Sequence, residues 1–236
     1  MKLGILSSYY PGGRFDSQIN HRAYADRHGY YQIFNGAPEK DGRGYFHKIQ
    51  TLLRYMDLFD WIWWIDDDAY FTDFEKPLTH WIDANPNSEF IICKSPSTKQ
   101  IFTEFSSGQF LLKCTPRAKS FLKKALATNM ETVKAFWHEG LGFFSDGDQD
   151  TFVYLIKTDP EFRDNFIVRL DHNEFNNREF EYESRADEHF LVHFTGRPEV
   201  KLATKATFCE RMKCNKYIVP DDILAKYSIV PNANLA

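Results

Sequence analysis

The chain is poor in the residues that would make it a metal knuckle, a disulfide scaffold or a membrane protein. Its 236 residues include only four cysteines, Cys93, Cys114, Cys209 and Cys214, with no CxxC pair. That scatter excludes a zinc knuckle and a disulfide framework. Free thiols are the expected state, with a Cys209–Cys214 bond in an oxidising compartment as the alternative. No apolar run approaches the ~20 residues that span a bilayer, so no transmembrane segment is expected, and no N-x-S/T sequon occurs. Met1-Lys2 leads straight into the short run Leu3–Leu6 and then polar Ser7-Ser8, so no signal peptide is expected. Excess positive charge is missing too. At a formal charge of -4, the chain has no basic stripe to neutralise a phosphate backbone, which argues against nucleic acid as a partner.

What is present fits one α/β domain. A hydrophobic content of 43% allows one sizeable core. Leu3–Leu6 reads as a buried first strand closed by Ser7, Ser8, Pro11, Gly12 and Gly13. Asp16 or Ser17 caps a helix reaching Arg27-His28, Gly29 stops it, and Tyr30–Phe34 forms a second strand. That rhythm implies a right-handed βαβ unit with parallel strands. Phe46, Ile49, Leu52, Leu53 and Met56 give helical spacing within Tyr45–Asp57. Trp61–Ile65 is continuously apolar, as in a strand covered on both faces. Further helices are expected at Lys76–Ala84, Arg117–Ala127 and Asp148–Lys157, and strands at Phe90–Cys93, Gly108–Lys113 and His189–Phe194. The tail beyond Lys205 shows no clear pattern.

The chemistry concentrates where the tryptophan-rich strand ends in Asp66-Asp67-Asp68. Ligands of open α/β sheets bind beyond the carboxyl ends of strands. Three adjacent carboxylates repel one another, and a compact cation relieves that repulsion. Strand alternation would point Asp66 and Asp68 to one side and Asp67 to the other. An Asp-x-Asp pair can then hold Mn²⁺ or Mg²⁺, whose open positions accept diphosphate oxygens. The plain competing reading is a solvated acidic turn.

The stretch from Trp63 to Phe71 resembles the Trp-Trp-hydrophobic-Asp-x-Asp-Ala signature of glycosyltransferase family 34. Five more segments, in order, are similar to motifs of that family. They are Asn20–Ala25 with His28-Gly29-Tyr30, His47-Lys48-Ile49, Ser107–Leu112, Asp148-Gln149, and His193-Phe194-Thr195-Gly196. Ser107 departs from the family, which has Asn there, and the family's membrane anchor and stem are not expected.

The resemblance implies a GT-A glycosyltransferase fold, a single Rossmann-like mixed sheet flanked by helices. Residues 1–75 would form the nucleotide-binding half, 76–205 the acceptor and sugar half, and 206–236 a tail. It implies transfer of a hexose or pentose from a nucleotide-sugar, UDP-linked, to a glycan acceptor hydroxyl, with retention of configuration. Asp66, Asp68 and His193 would hold Mn²⁺ or Mg²⁺, with His189 as the fallback ligand. Ser7, Tyr9 and Tyr24 would border base and ribose. Lys48, Asp66, Asp67, Arg197 and Lys201 would also face the donor, the last two at the diphosphate, and Asp67 otherwise caps the turn. Asp148 would bind sugar hydroxyls and Gln149 would stabilise the sugar face. Alternatives are an inverting enzyme with Asp148 or Asp150 as general base, and an inactive sugar- or nucleotide-binding module. A haloacid-dehalogenase-type phosphatase fits poorly, since its nucleophilic Asp sits near the N-terminus. A soluble, cytoplasmic protein of bacterial or viral type, or one domain of a longer polypeptide, is expected.

Overall fold

The computed structural model describes residues 1–9, 15–36, 44–96 and 103–227, so Pro11, Gly12 and Gly13 lie outside the described residues. β1 (Leu3–Ser8), α1 (Gln18–His28) and β2 (Tyr31–Asn35) form the expected βαβ unit, with β1 and β2 parallel. Gly29 ends α1 at φ 68°, a left-handed conformation in which a Cβ would be penalised. Next come α2 (His47–Tyr55), β3 (Trp61–Ile65), β4 (Ala69–Phe71), α3 (Thr79–Ala84), β5 (Phe90–Cys93) and β6 (Gln109–Lys113). Then follow α4 (Pro116–Ala127), α5 (Met130–Phe136), α6 (Asp148–Thr158), β7 (Ile167–Leu170) and α7 (His172–Phe175). β8 (Leu191–His193), α8 (Pro198–Met212) and α9 (Asp221–Ala225) complete the order.

Among the described residues, the main sheet has six strands in the order β2-β1-β3-β6-β5-β7. It is mixed: β1 is parallel to β2 and β3, whereas β6 runs antiparallel to both β3 and β5. Strand alternation divides its side chains between two cores. Leu6, Ile62, Trp64, Phe110 and Leu112 pack with residues of α2, α4 and α6. Leu3, Ile5, Trp61, Trp63, Ile65 and Leu111 pack on the opposite face with Tyr24, Trp81 and Phe175. The tryptophan strand is therefore buried on both faces, as its unbroken apolar run requires.

Several expected boundaries shift for physical reasons. α3 starts at Thr79 instead of Lys76, because the residue before Pro77 is biased away from helical backbone. The late strand is only Leu191–His193, paired antiparallel with β4 in a separate two-stranded ribbon. The described part of the tail carries α9 and the end of α8 rather than being unpatterned. α8 buries Lys205, Phe208 and Met212, at spacings of three and four residues that a reading begun at residue 205 misses. All four cysteines are free. Among the described residues, no helix is long and apolar enough to cross a membrane.

Candidate active site

The acidic triplet leaves the sheet at the end of β3, where the chain turns into β4. Strand alternation does not set its geometry, because β3 stops at Ile65 and Asp67-Asp68 form a turn. Two pairings assemble the site instead. β4 pairs with β8 so that Ala69 faces His193, and Phe194 N–H donates to Asp68 O at 3.0 Å. β3 pairs with β6, and Asp66 N–H donates to Gly108 O at 2.7 Å. Asp66 and Asp68, with His193 from a distant part of the sequence, thereby offer three ligand atoms within 4.8 Å of one another.

The fit to a divalent ion rests on two features. A Cβ on Gly108 would lie 2.6 Å from His193 Cε1 and 3.3 Å from Asp66 Oδ2, so only glycine lets the ligand groups approach this closely. Asp68 Oδ1 is buried, 3.3 Å from His193 Nε2 yet outside hydrogen-bond geometry, so it retains a free acceptor. Two carboxylates and an imidazole are a donor set suited to Mn²⁺ or Mg²⁺ with added water or phosphate oxygens.

The surroundings favour the metal-binding form at Asp68 and His193 and oppose it at Asp66. Burial would raise the Asp68 carboxyl, but His193 and Lys201 outweigh it and hold the group well below the usual carboxylate range. Burial lowers His193, and nearby Arg178 lowers it further while Asp68 opposes, favouring neutral imidazole. Asp66 has a side chain 31% exposed. Its carboxyl is raised because desolvation in the cleft, with Asp68 and Asp148 adding, outweighs Lys48.

A cavity of about 360 Å³ opens over this cluster. Ser8, Phe15 and Tyr45 line it together with Lys48, the acidic triplet, Arg197 and Lys201. Lys201 Nζ donates to Asp68 Oδ2, and Arg197 is exposed at the start of α8. Asp67, only 2% exposed, lines the same cavity. Lys48 borders the cavity as expected, but its ammonium is held 3.2 Å from Asp66 and 3.1 Å from Asp148 and donates to Ser107 O at 2.7 Å. Burial would lower its pKa, but the two carboxylates prevail and raise it, so Lys48 is a fixed cation joining Asp66 to Asp148. Gln149 Oε1 accepts from Ser107 N–H at 3.2 Å beside that pair.

Five residues lie elsewhere than expected. Tyr24 borders no ligand space: it is fully buried, stacked on Phe71 at 3.8 Å, and its hydroxyl donates to Lys76 O. Ser7 is buried in the sheet, and its neighbour Ser8 lines the cavity instead. Asp150 is fully buried, and its Oδ2 accepts from Ser145 N–H and Oγ and from Gly147 N–H. It ties down the loop entering α6 and is not placed to meet an acceptor. His189 lies before β8, with its ring on Glu181 O and Tyr182, outside the cluster. Tyr9 packs edge-on against Phe34 at 4.7 Å and is not among the residues lining the cavity.

Sequence reasoning missed Asn176, Arg178 and Gln109, which back the imidazole of His193. Gln109 belongs to a quoted motif, but Asn176 and Arg178 follow a short helix with no sequence signal. Asn20 and His21, conspicuous in the first helix, are structural. Asn20 Nδ2 donates to Phe71 O, Asn20 Oδ1 accepts from Phe71 N–H, and His21 Nε2 meets Ala69 O, so α1 is stitched to β4.

A mixed sheet with an Asp-x-Asp turn at the tip of its third strand defines the GT-A glycosyltransferase fold. A solved glycosyltransferase involved in glycosylation of the major capsid of PBCV-1 has the same fold, with TM-score 0.64 and 16% identity over 85% of this chain and 98% of that one. By sequence, residues 15–88 match the family model of the galactosyl transferase GMA12/MNN10 family. The Arabidopsis thaliana xyloglucan 6-xylosyltransferase 4 is 26% identical over 155 residues, 58% of this chain and 29% of that protein. A probable xyloglucan 6-xylosyltransferase 3 from the same plant is 38% identical over 155 residues, 58% of this chain and 33% of that protein. The chain thus spans about a third of the length of these curated relatives.

Proposed function

We propose that the chain is a metal-dependent glycosyltransferase that moves a sugar from a nucleoside-diphosphate donor, UDP-linked, to an acceptor hydroxyl with retention of configuration. The observation carrying this reading is the convergence of Asp66, Asp68 and His193 within 4.8 Å, with Asp66 and Asp68 lining a cavity that Lys48, Arg197 and Lys201 also line. A bound divalent ion supplies Lewis-acid neutralisation of the charge building on the leaving diphosphate. Arg197 and Lys201 add positive charge on the α8 side, where it stabilises the same leaving group. Lys48 holds Asp148 beside the metal carboxylates so that Asp148 can bind the hydroxyls of the transferring sugar. Gln149, its carbonyl end fixed by Ser107, presents its amide to the sugar face. The bond from anomeric carbon to phosphate oxygen breaks, the acceptor oxygen bonds to that carbon on the same face, and its proton passes to the departing phosphate. Burial of Asp150 favours this route over an inverting one that uses it as base. Residues 1–75 would serve the nucleotide and 76–205 the sugar and acceptor; a glycan, as for the xyloglucan enzymes, is the proposed acceptor.

The test is calorimetry and thermal shift with UDP and GDP, each with and without Mn²⁺. Mn²⁺ should bind the protein, UDP should bind more tightly in its presence, and UDP at 100 times its dissociation constant should add ~2.7 kcal/mol of stability. Asp68→Asn should abolish the Mn²⁺-dependent part. A wild-type protein indifferent to Mn²⁺ in every combination would overturn the proposal.

A further inference from the structure

Behind His193 lies a buried polar network that the transfer chemistry does not itself use. Asn176 is fully buried, and its side-chain orientation is fixed by chemistry. Its Nδ2 donates to Lys94 O at 3.0 Å, while its Oδ1 accepts from Gln109 Nε2 and from Arg178 NH1, the latter at 2.6 Å. Turned the other way, its amide nitrogen would meet two donors and its oxygen a carbonyl, so only the observed orientation is satisfied. The same Oδ1 lies 3.2 Å from His193 Nδ1. Arg178 NH1 also lies 3.2 Å from Nδ1 and donates to it in the tautomer protonated at Nε2; when Nε2 is left for an ion and Nδ1 carries the proton, Asn176 is the acceptor these contacts offer, because a guanidinium only donates. On the opposite side of the ring, Nε2 faces Asp68 Oδ1 at 3.3 Å.

From this arrangement we infer that Asn176 is a positioning residue for metal binding. It accepts a hydrogen bond from His193 Nδ1–H and thereby fixes the ring plane and leaves the Nε2 lone pair directed at the ion. The inference rests on the metal reading above. Groups that hold a ligand histidine by its second nitrogen typically cost 10–100-fold in metal affinity when removed.

The experiment titrates Mn²⁺ alone into the full chain and into Asn176→Leu and Asn176→Asp, with melting of each protein in chelator as the fold control. Asn176→Leu should bind Mn²⁺ about 10–100-fold more weakly. Asn176→Asp should stay within a few-fold of wild type, because it keeps an oxygen at Nδ1 even though it loses the donor to Lys94. A structural role predicts the opposite ranking, since the carboxylate would face the Lys94 carbonyl. Unchanged Mn²⁺ affinity in Asn176→Leu, or equal loss in both variants, overturns the inference. Wild-type protein that binds no Mn²⁺ overturns the metal reading instead. Should neither variant fold, ¹⁵N–¹H spectra of the His193 ring in wild-type protein saturated with Mg²⁺ decide: a proton on Nδ1 supports the inference and a proton on Nε2 overturns it.

Discussion

At position 108 a single hydrogen stands where any other residue would carry a carbon, and the ligand cluster depends on it. A Cβ there would sit 2.6 Å from His193 Cε1, a distance that real Cβ contacts do not reach, so the imidazole would have to move. His193 has little room to retreat, because Asn176 and Arg178 fill the space behind it. Gly108→Ala is therefore expected to weaken Mn²⁺ binding by at least tenfold, with a far smaller effect on melting temperature; titration calorimetry paired with thermal melts checks it. This glycine lies in a motif visible in the sequence, yet its reason is spatial. Its neighbours here, Asp66 and His193, are 42 and 85 residues away in sequence, and only the fold brings them together.

Among the elements, α6 is informative because its first turn does two unlike things. Asp148 pairs with Lys48, which lines the cavity, whereas Asp150, two residues on, turns inward to hold the preceding loop through Ser145 and Gly147. The loop needs that restraint: Gly142 is at φ 87° and Asp146 at φ 58°, both outside the comfortable range for most residues. Burial raises the Asp150 carboxyl against the pull of its hydrogen bonds, so part of their benefit is already offset. Asp150→Ala should cost about 1–2 kcal/mol, the scale of losing a helix cap with its bonded loop. Urea denaturation with an unchanged m-value would register it, and no loss of stability would show that the loop needs no anchor. The acidic start of α6 was legible as a helix N-terminus; which carboxylate pairs with Lys48 and which ties down the loop was not, because both lie in the same turn.

For the whole molecule, stability should depend on pH through a group outside the cavity. His21 is fully buried, and desolvation lowers its pKa to about 4, against the 6.5 of an exposed histidine, despite its bond to Ala69 O. Below pH 6.5 the unfolded chain takes up a proton that the native state refuses. This contribution to stability is intact above pH 6.5, declines as pH falls, and is lost by about pH 4. The gap corresponds to about 3 kcal/mol at 1.36 kcal/mol per unit. Urea titrations between pH 7 and 4 should show the slope, and His21→Gln, which cannot titrate, should flatten it; an unaltered slope in that variant would assign it to other groups. The sequence by itself determined the α/β class, the βαβ start, the doubly buried tryptophan strand and the acidic turn at its tip. Those features are local, set by runs and spacings within a few residues. Only the tertiary structure decided that His193 and not His189 joins the acidic pair, that Tyr24 belongs to the core, that Asp150 ties down a loop, and that Asn176 and Arg178 back the imidazole. Each of these depends on pairing between distant strands, β4 with β8 above all, and strand pairing follows from how the whole hydrophobic surface is buried.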